Sequence, residues 1–166
     1  MQVLNILSAK SLFSKGFVMT KVSVTYDGFQ HATSVQEERE NARGKTVATD
    51  CPYTGKGEEF SPLELTGTGV AGCCLISMGT LAMRRKIDIS GTRLDVELSW
   101  TERGDRIGAI DLTFTMARNY SEKERLMLER AADACPIKHS FHPDTRISVQ
   151  YIYPEQARAH LQRWLQ

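Results

Sequence analysis

Nineteen consecutive residues, Leu65 to Met83, carry no charge. That is about the length of a bilayer-spanning helix. Eight of the nineteen are Gly, Ser or Thr, however, and so polar a stretch is a poor membrane anchor. The better reading is a central helix buried in a soluble domain. Its start is marked: Ser61-Pro62-Leu63-Glu64 places Ser at the N-cap, Pro at the first helical position and Glu three residues after the cap. The apolar run carries the helix to about Lys86, with Gly79 as the place for a break. Gly67, Gly69, Gly72 and Gly79 each cost a helix about 1 kcal/mol relative to Ala. Their presence points to another backbone, or a ligand, approaching one side closely.

A helix of this kind has to be wrapped by other elements, and alternating patterns supply them. Val22, Val24 and Tyr26 alternate with polar residues, and Asp27-Gly28 offers a turn. His31 to Glu38 and Lys45 to Thr49 read as strands around a loop at 41–44. Residues 50–59, with Pro52, Gly55 and Gly57, read as loop. Leu94, Val96, Leu98 and Trp100, a turn at 102–105, then Ile110, Leu112, Phe114 and Met116 predict a hairpin. Ser121-Glu122-Lys123-Glu124 is a second capping box, and Leu128, Ala131, Ala132 and Cys135 fall on one helical face. Pro136 stops that helix directly after Cys135. Ile147, Val149, Tyr151 and Tyr153 predict a last strand, and residues 154–166 a short amphipathic helix. Strands and helices do not alternate strictly, so the class is α+β. A chain of 166 residues holds one ordinary domain, here residues 19–166, with residues 1–18 as a tail or upstream extension.

Charge and cysteine usage narrow the function. Lys and Arg number 21 against 20 Asp and Glu, a net charge of +1 that lacks the basic excess of a nucleic-acid binder. The first eighteen residues make a poor signal peptide, because Lys10 and Lys15 interrupt the apolar stretch. The expected location is therefore the reducing cytoplasm, with no membrane involvement. There the four cysteines, Cys51, Cys73, Cys74 and Cys135, are thiols to be explained rather than a disulfide scaffold.

Two positions stand out: Cys73 inside the glycine-rich helix, and Cys135 in Ala134-Cys135-Pro136-Ile137. Ser61-Pro62-Leu63-Glu64-Leu65 followed by Gly72-Cys73, with the Cys eleven residues after the Pro, resembles the OsmC/Ohr family of osmotically induced and organic hydroperoxide resistance proteins. Cys135-Pro136-Ile137 resembles that family's Cys-Pro-Val-like turn after a later helix. The resemblance extends over roughly Met19 to Tyr153. It implies antiparallel sheets packed around the central buried helix in an intertwined homodimer. It also implies a thiol peroxidase without metal or other cofactor. Cys73 would attack an organic hydroperoxide, Cys135 would resolve the resulting sulfenic acid as a disulfide, and an external dithiol would reduce the pair. A thiol at a helix C-terminus suits the resolving role, since the macrodipole there disfavours a thiolate.

In the family's peroxidases a Glu ten residues before the reactive Cys orients an activating Arg. Here that position is Leu63, and Glu64 lies nine before Cys73. Nine residues turn a helix by about 900°, half a turn net, so the two side chains face opposite sides. Glu64 is thus a catalytic candidate by resemblance and a helix cap by position. Arg39 and Arg43 are early-region candidates for the activating cation, and each also reads as an exposed loop charge. Cys74 reads as core, because neighbours on a helix point about 100° apart. Cys51 reads as a loop thiol. His139 and His142 after Cys135 lack the paired half of a zinc site, so no metal is expected. A binding module for an apolar small molecule, without catalysis, is the alternative function.

Overall fold

The computed structural model describes residues 21–37 and 40–155. The expected tail at 1–18, Arg39 and most of the expected helix at 154–166 lie outside the described residues. The chain divides into two compact units, Met1–Ser61 and Pro62–Gln166.

The first unit is an antiparallel sheet of β1 (Val22–Gly28), β2 (His31–Gln36) and β3 (Thr46–Asp50), in that spatial order. The β1–β2 turn sits two residues later than Asp27-Gly28. Gly28 pairs with His31, and Phe29 and Gln30 form the loop with φ of 49° and 60°. Positive φ at both loop residues matches the right-handed twist of the flanking strands, even without a glycine at either place. A single 3₁₀ turn, Glu40–Ala42, falls between β2 and β3, and Arg43 just beyond it is exposed. In the β1–β2 register Val22, Val24 and Tyr26 lie opposite Gln36, Ser34 and Ala32, and Ser34 in turn pairs with Val47. These residues share one face, and Val22, Val24, Tyr26 and Val47 are all exposed on it.

The second unit holds the hydrophobic core. Helix α1 (Pro62–Arg85) begins directly after Ser61 and runs unbroken through Gly79. It stops without a glycine. Lys86 takes the left-handed conformation at φ 56°, and the Ile87 N–H reaches back to the Ala82 carbonyl at 2.9 Å. Gly67, Val70, Cys74, Met78 and Ala82, three or four residues apart, form its buried stripe. Within one chain the opposite side stays open, with Ile76 and Met83 exposed. By length and composition α1 is long and apolar enough to cross a membrane. Of its glycines, Gly67 alone has a close neighbour inside the unit, and it is a side chain rather than the expected backbone or ligand: a Cβ there would stand 2.7 Å from Leu98 Cδ1, whereas at Gly69 and Gly72 it would meet nothing.

Against this stripe lies a sheet of β4 (Arg93–Trp100), β5 (Ile107–Thr115) and β6 (Arg146–Ile152). The predicted hairpin is present, with Leu94, Val96 and Leu98 opposite Phe114, Leu112 and Ile110. β6 joins β5 in parallel, since the chain crosses over through α2 (Glu122–Asp133) between them. Phe114 stacks on Tyr151 at 4.7 Å between ring centroids, and Arg146 grips Asp111 through two hydrogen bonds of 2.8 and 2.9 Å. The Ser121–Glu124 capping box is formed in full, and α2 contributes Leu128 and Ala132 to the core.

Candidate active site: a three-thiol cluster

Helix α2 ends at Asp133, two residues before Cys135, with Ala134 as its C-cap. The expectation that Cys135 closes the helix is therefore corrected. Pro136 follows, and the chain turns into a 3₁₀ segment, Lys138–Ser140. This turn brings the Lys138 backbone N–H to Cys135 Sγ at 3.4 Å. The sulfur thus faces donors rather than the terminal carbonyls of α2, which is why the macrodipole argument does not govern it.

All four cysteines are free thiols. Cys73 is half-buried, whereas Cys74 and Cys135 are 1% and 0% exposed. Cys74 and Cys135 belong to one buried cluster, half-buried Cys73 packs against it, and the three thiols influence one another's ionisation. Cys74 is consequently both a core residue and a member of the cluster.

The three thiols differ in acidity. Burial works against ionisation of Cys135. Hydrogen bonds from Cys73, the Lys138 N–H, Cys74 and the Ile137 N–H outweigh it, and the Cys135 thiol lies below the ordinary thiol value. Burial raises Cys73, and its hydrogen bond to Cys135 raises it further; the Ile137 N–H and the Ser77 hydroxyl pull the other way. Burial pushes Cys74 up to about 12, with the neighbouring Cys135 adding to the effect and Lys138 opposing it. Lys138 is itself 5% exposed and ion-paired with Asp133. Ser77 and Lys138 went unnoticed in the sequence. Ser77 stands four residues after Cys73, one helical turn on, and that spacing was the available signal.

Glu64 lines a different surface. With Leu63, Gly67, Thr68, Ala71, Leu94, Asp95, Val96 and Leu98 it borders a groove of about 300 Å³ between α1 and β4, and Cys73 is not among the lining residues. His139 turns its Nε2 to the Asp133 carbonyl at 2.9 Å, and His142 Nδ1 accepts from the Asp144 N–H at 3.2 Å. Among the described residues no group of three or more His, Cys, Asp or Glu is arranged to hold a metal ion. Cys51, in the first unit, accepts from the Thr54 hydroxyl at 3.0 Å; this bond and the N–H groups of Tyr53 and Thr54 lower its thiol to about 7.

Comparison with known proteins agrees with this architecture. A family model described as OsmC-like protein matches residues 55–150, which include Cys73, Cys74 and Cys135, and the chain belongs to that family. A crystal structure from Psychrobacter arcticus, described as an osmotic stress induced and detoxification response protein, superposes with a TM-score of 0.73 at 28% identity, covering 83% of this chain and 99% of that one. An organic hydroperoxide resistance protein from Elizabethkingia anophelis gives 0.60 at 15% identity, covering 82% and 98%. A Legionella pneumophila protein, described as an organic hydroperoxide resistance protein and predicted redox protein, gives 0.58 at 16% identity, covering 82% and 98%. A search of curated protein sequences gave no match.

Proposed function

We propose that this protein is a thiol-dependent peroxidase that reduces organic hydroperoxides and so protects against oxidative stress. The observation that carries this reading is that half-buried Cys73 packs against the buried cluster that holds Cys135. Cys73 is the thiol a substrate can reach. Its thiolate attacks the distal oxygen of ROOH, the O–O bond breaks, and RO⁻ takes a proton to leave as the alcohol. Cys73 becomes a sulfenic acid. The Cys135 thiolate then attacks that sulfur, hydroxide leaves as water, and a Cys73–Cys135 disulfide remains. An external dithiol returns both thiols by exchange. No metal or organic cofactor takes part. Ser77 is the side-chain donor on hand for the Cys73 thiolate. Family membership and the organic hydroperoxide resistance proteins among the structural neighbours support this chemistry.

The working form is a cytoplasmic homodimer. The described part of the first unit buries no apolar side chain and leaves Val22, Val24, Tyr26 and Val47 open on one face, a surface suited to a second copy. Glu64 enters this proposal as the candidate that would orient an activating Arg, and the groove it borders does not include Cys73.

The test is thiol loss on adding cumene hydroperoxide, in a Cys51→Ser background so that the acidic loop thiol does not contribute. The expected result is rapid loss of two thiols per chain with a Cys73–Cys135 bridge in the mass spectrum. A Cys73→Ser variant reacting as fast as its parent would overturn the assignment. One observation favours the alternative, a binding module without catalysis: burial raises the Cys73 thiol, which weakens it as a nucleophile. That reading expects slow, unsaturable oxidation together with binding of an apolar molecule in the groove lined by Leu63, Leu94, Val96 and Leu98.

A further inference from the structure

The turn after α2 has an inverted polarity. Of residues 133–140 only Cys135 and Lys138 are buried, at 0% and 5% exposed, whereas Ile137 between them is 44% exposed. Apolar burial alone would turn Ile137 inward and leave the lysine head in water. Another force holds Lys138 inside, and its two polar ends show which. Its ammonium is ion-paired with the Asp133 carboxylate, and its backbone N–H donates to Cys135 Sγ at 3.4 Å. A buried ammonium is tolerated only with such a partner.

The ion pair spans the turn that aims this N–H. Asp133 is the last residue of α2 and Lys138 the first of the 3₁₀ segment. Pro136 between them has no N–H, so the Lys138 donor reaches Cys135 from the far side of the proline. The same end of α2 is gripped a second time, where the His139 Nε2–H donates to the Asp133 carbonyl at 2.9 Å. Within the turn the Ser140 hydroxyl donates to the Pro136 carbonyl at 2.9 Å. A lysine released from Asp133 would carry its head to water, swing outward and draw its N–H off the sulfur. We propose that Lys138 and Asp133 are positioning residues: their ion pair fixes the turn so that the Lys138 N–H stays on Cys135 Sγ, the sulfur that resolves the sulfenic acid. The proposal rests on the peroxidase reading for its purpose, while the placement of the N–H stands on the reduced protein alone.

Other titratable groups surround this turn. Cys73 and Cys74 come from α1, His139 from the turn itself and Tyr151 from β6. The Lys138 hydrogen bond and charge hold the Asp133 carboxyl below its ordinary value. Asp133 is therefore ionised throughout the range in which a thiol titrates, and the clamp stays closed there.

The test follows thiolate ultraviolet absorbance as the reduced Cys51→Ser protein is titrated. The Cys135 step is the one that Cys135→Ala abolishes. Asp133→Ala removes the partner at a side chain that is 69% exposed, so the core is left as it is. It should move the Cys135 step up by about one pH unit, the scale of one hydrogen bond to a charged group. The direct effect of losing a negative charge has the opposite sign, because a nearby carboxylate opposes a thiolate. Asp133→Glu, which restores the carboxylate, should bring the step back, a rescue that a purely structural role of the α2 terminus would not produce. A Cys135 step that stays in place or falls in Asp133→Ala overturns the proposal, and so does a step that Asp133→Glu leaves raised. A parent inert to hydroperoxide that still shows the rise and its rescue would remove the peroxidase reading and leave the hold on Cys135 supported.

Discussion

The Lys138 N–H points at Cys135 Sγ from 3.4 Å, so the thiol that follows helix α2 receives a backbone donor where helix polarity alone would have given it carbonyls. Cys135 is accordingly the most readily ionised thiol of the cluster. Bridging of Cys73 to Cys135 by diamide should therefore accelerate with pH and level off below 9.0, the ordinary thiol value. Quenched-flow alkylation and mass spectrometry give the profile, and a half-point above 9.0 would contradict the geometry.

Cys74 links the same cluster to stability. Its thiol titrates near 9.0 in the unfolded chain and near about 12 when folded. The folded state favours the protonated form, so this contribution is complete below 9.0 and is lost as pH rises from there toward about 12. The loss runs at about 1.4 kcal/mol per pH unit for one proton. Urea unfolding of the reduced protein should show stability falling through that window, and Cys74→Ala should fall less steeply.

Cys51 provides a check outside the cluster. Iodoacetamide should modify it first among the four thiols, with a half-maximal rate near pH 7, as its thiol lies at about 7. Thr54→Val removes the 3.0 Å hydroxyl donor and should raise that midpoint. Peptide mapping of briefly labelled protein distinguishes this from preferential labelling at Cys73.

Two glycines should respond in opposite ways. At Gly69 an added Cβ meets nothing, so Gly69→Ala should stabilise the chain by up to about 1 kcal/mol through helix propensity. At Gly108 the same Cβ would stand 2.9 Å from the Thr101 backbone nitrogen. Gly108→Ala should cost about 1–3 kcal/mol, as overpacking against backbone does. Denaturant midpoints measured side by side decide both.

The open face of the first sheet is tested by charge. Light scattering should find the parent protein at twice the chain mass. Val24→Lys, on the face shared with Val22, Tyr26 and Val47, should shift it toward a single chain. A parent that is already monomeric would remove the dimer from the proposal.

Local chemistry made much of this fold legible. The Ser121–Glu124 box and the alternation from Leu94 to Met116 each act within a few residues, and both appear as written. The stop at Lys86 did not, because the usual glycine is missing and the left-handed turn is imposed by packing of Ile87 and Ile89 against the core. The parallel placement of β6 depends on the path of α2 across the sheet, a tertiary matter. In the site, Cys73 and Cys135 could be singled out through the resemblance carried by the Pro62-to-Cys73 segment and by Cys135-Pro136-Ile137. The Lys138 N–H donor to Cys135 could not, since it depends on how the chain turns after Pro136.

The burial of Cys135 also sets a direction for recovery. In the proposed bridge only the Cys73 sulfur borders solvent, so an incoming dithiol has one sulfur to strike. Its attack forms a mixed disulfide at Cys73 and expels Cys135 as the leaving thiolate, into the very donors that make Cys135 acidic. The turn that readies this residue to close the bridge is thus also what eases its departure when the bridge is opened.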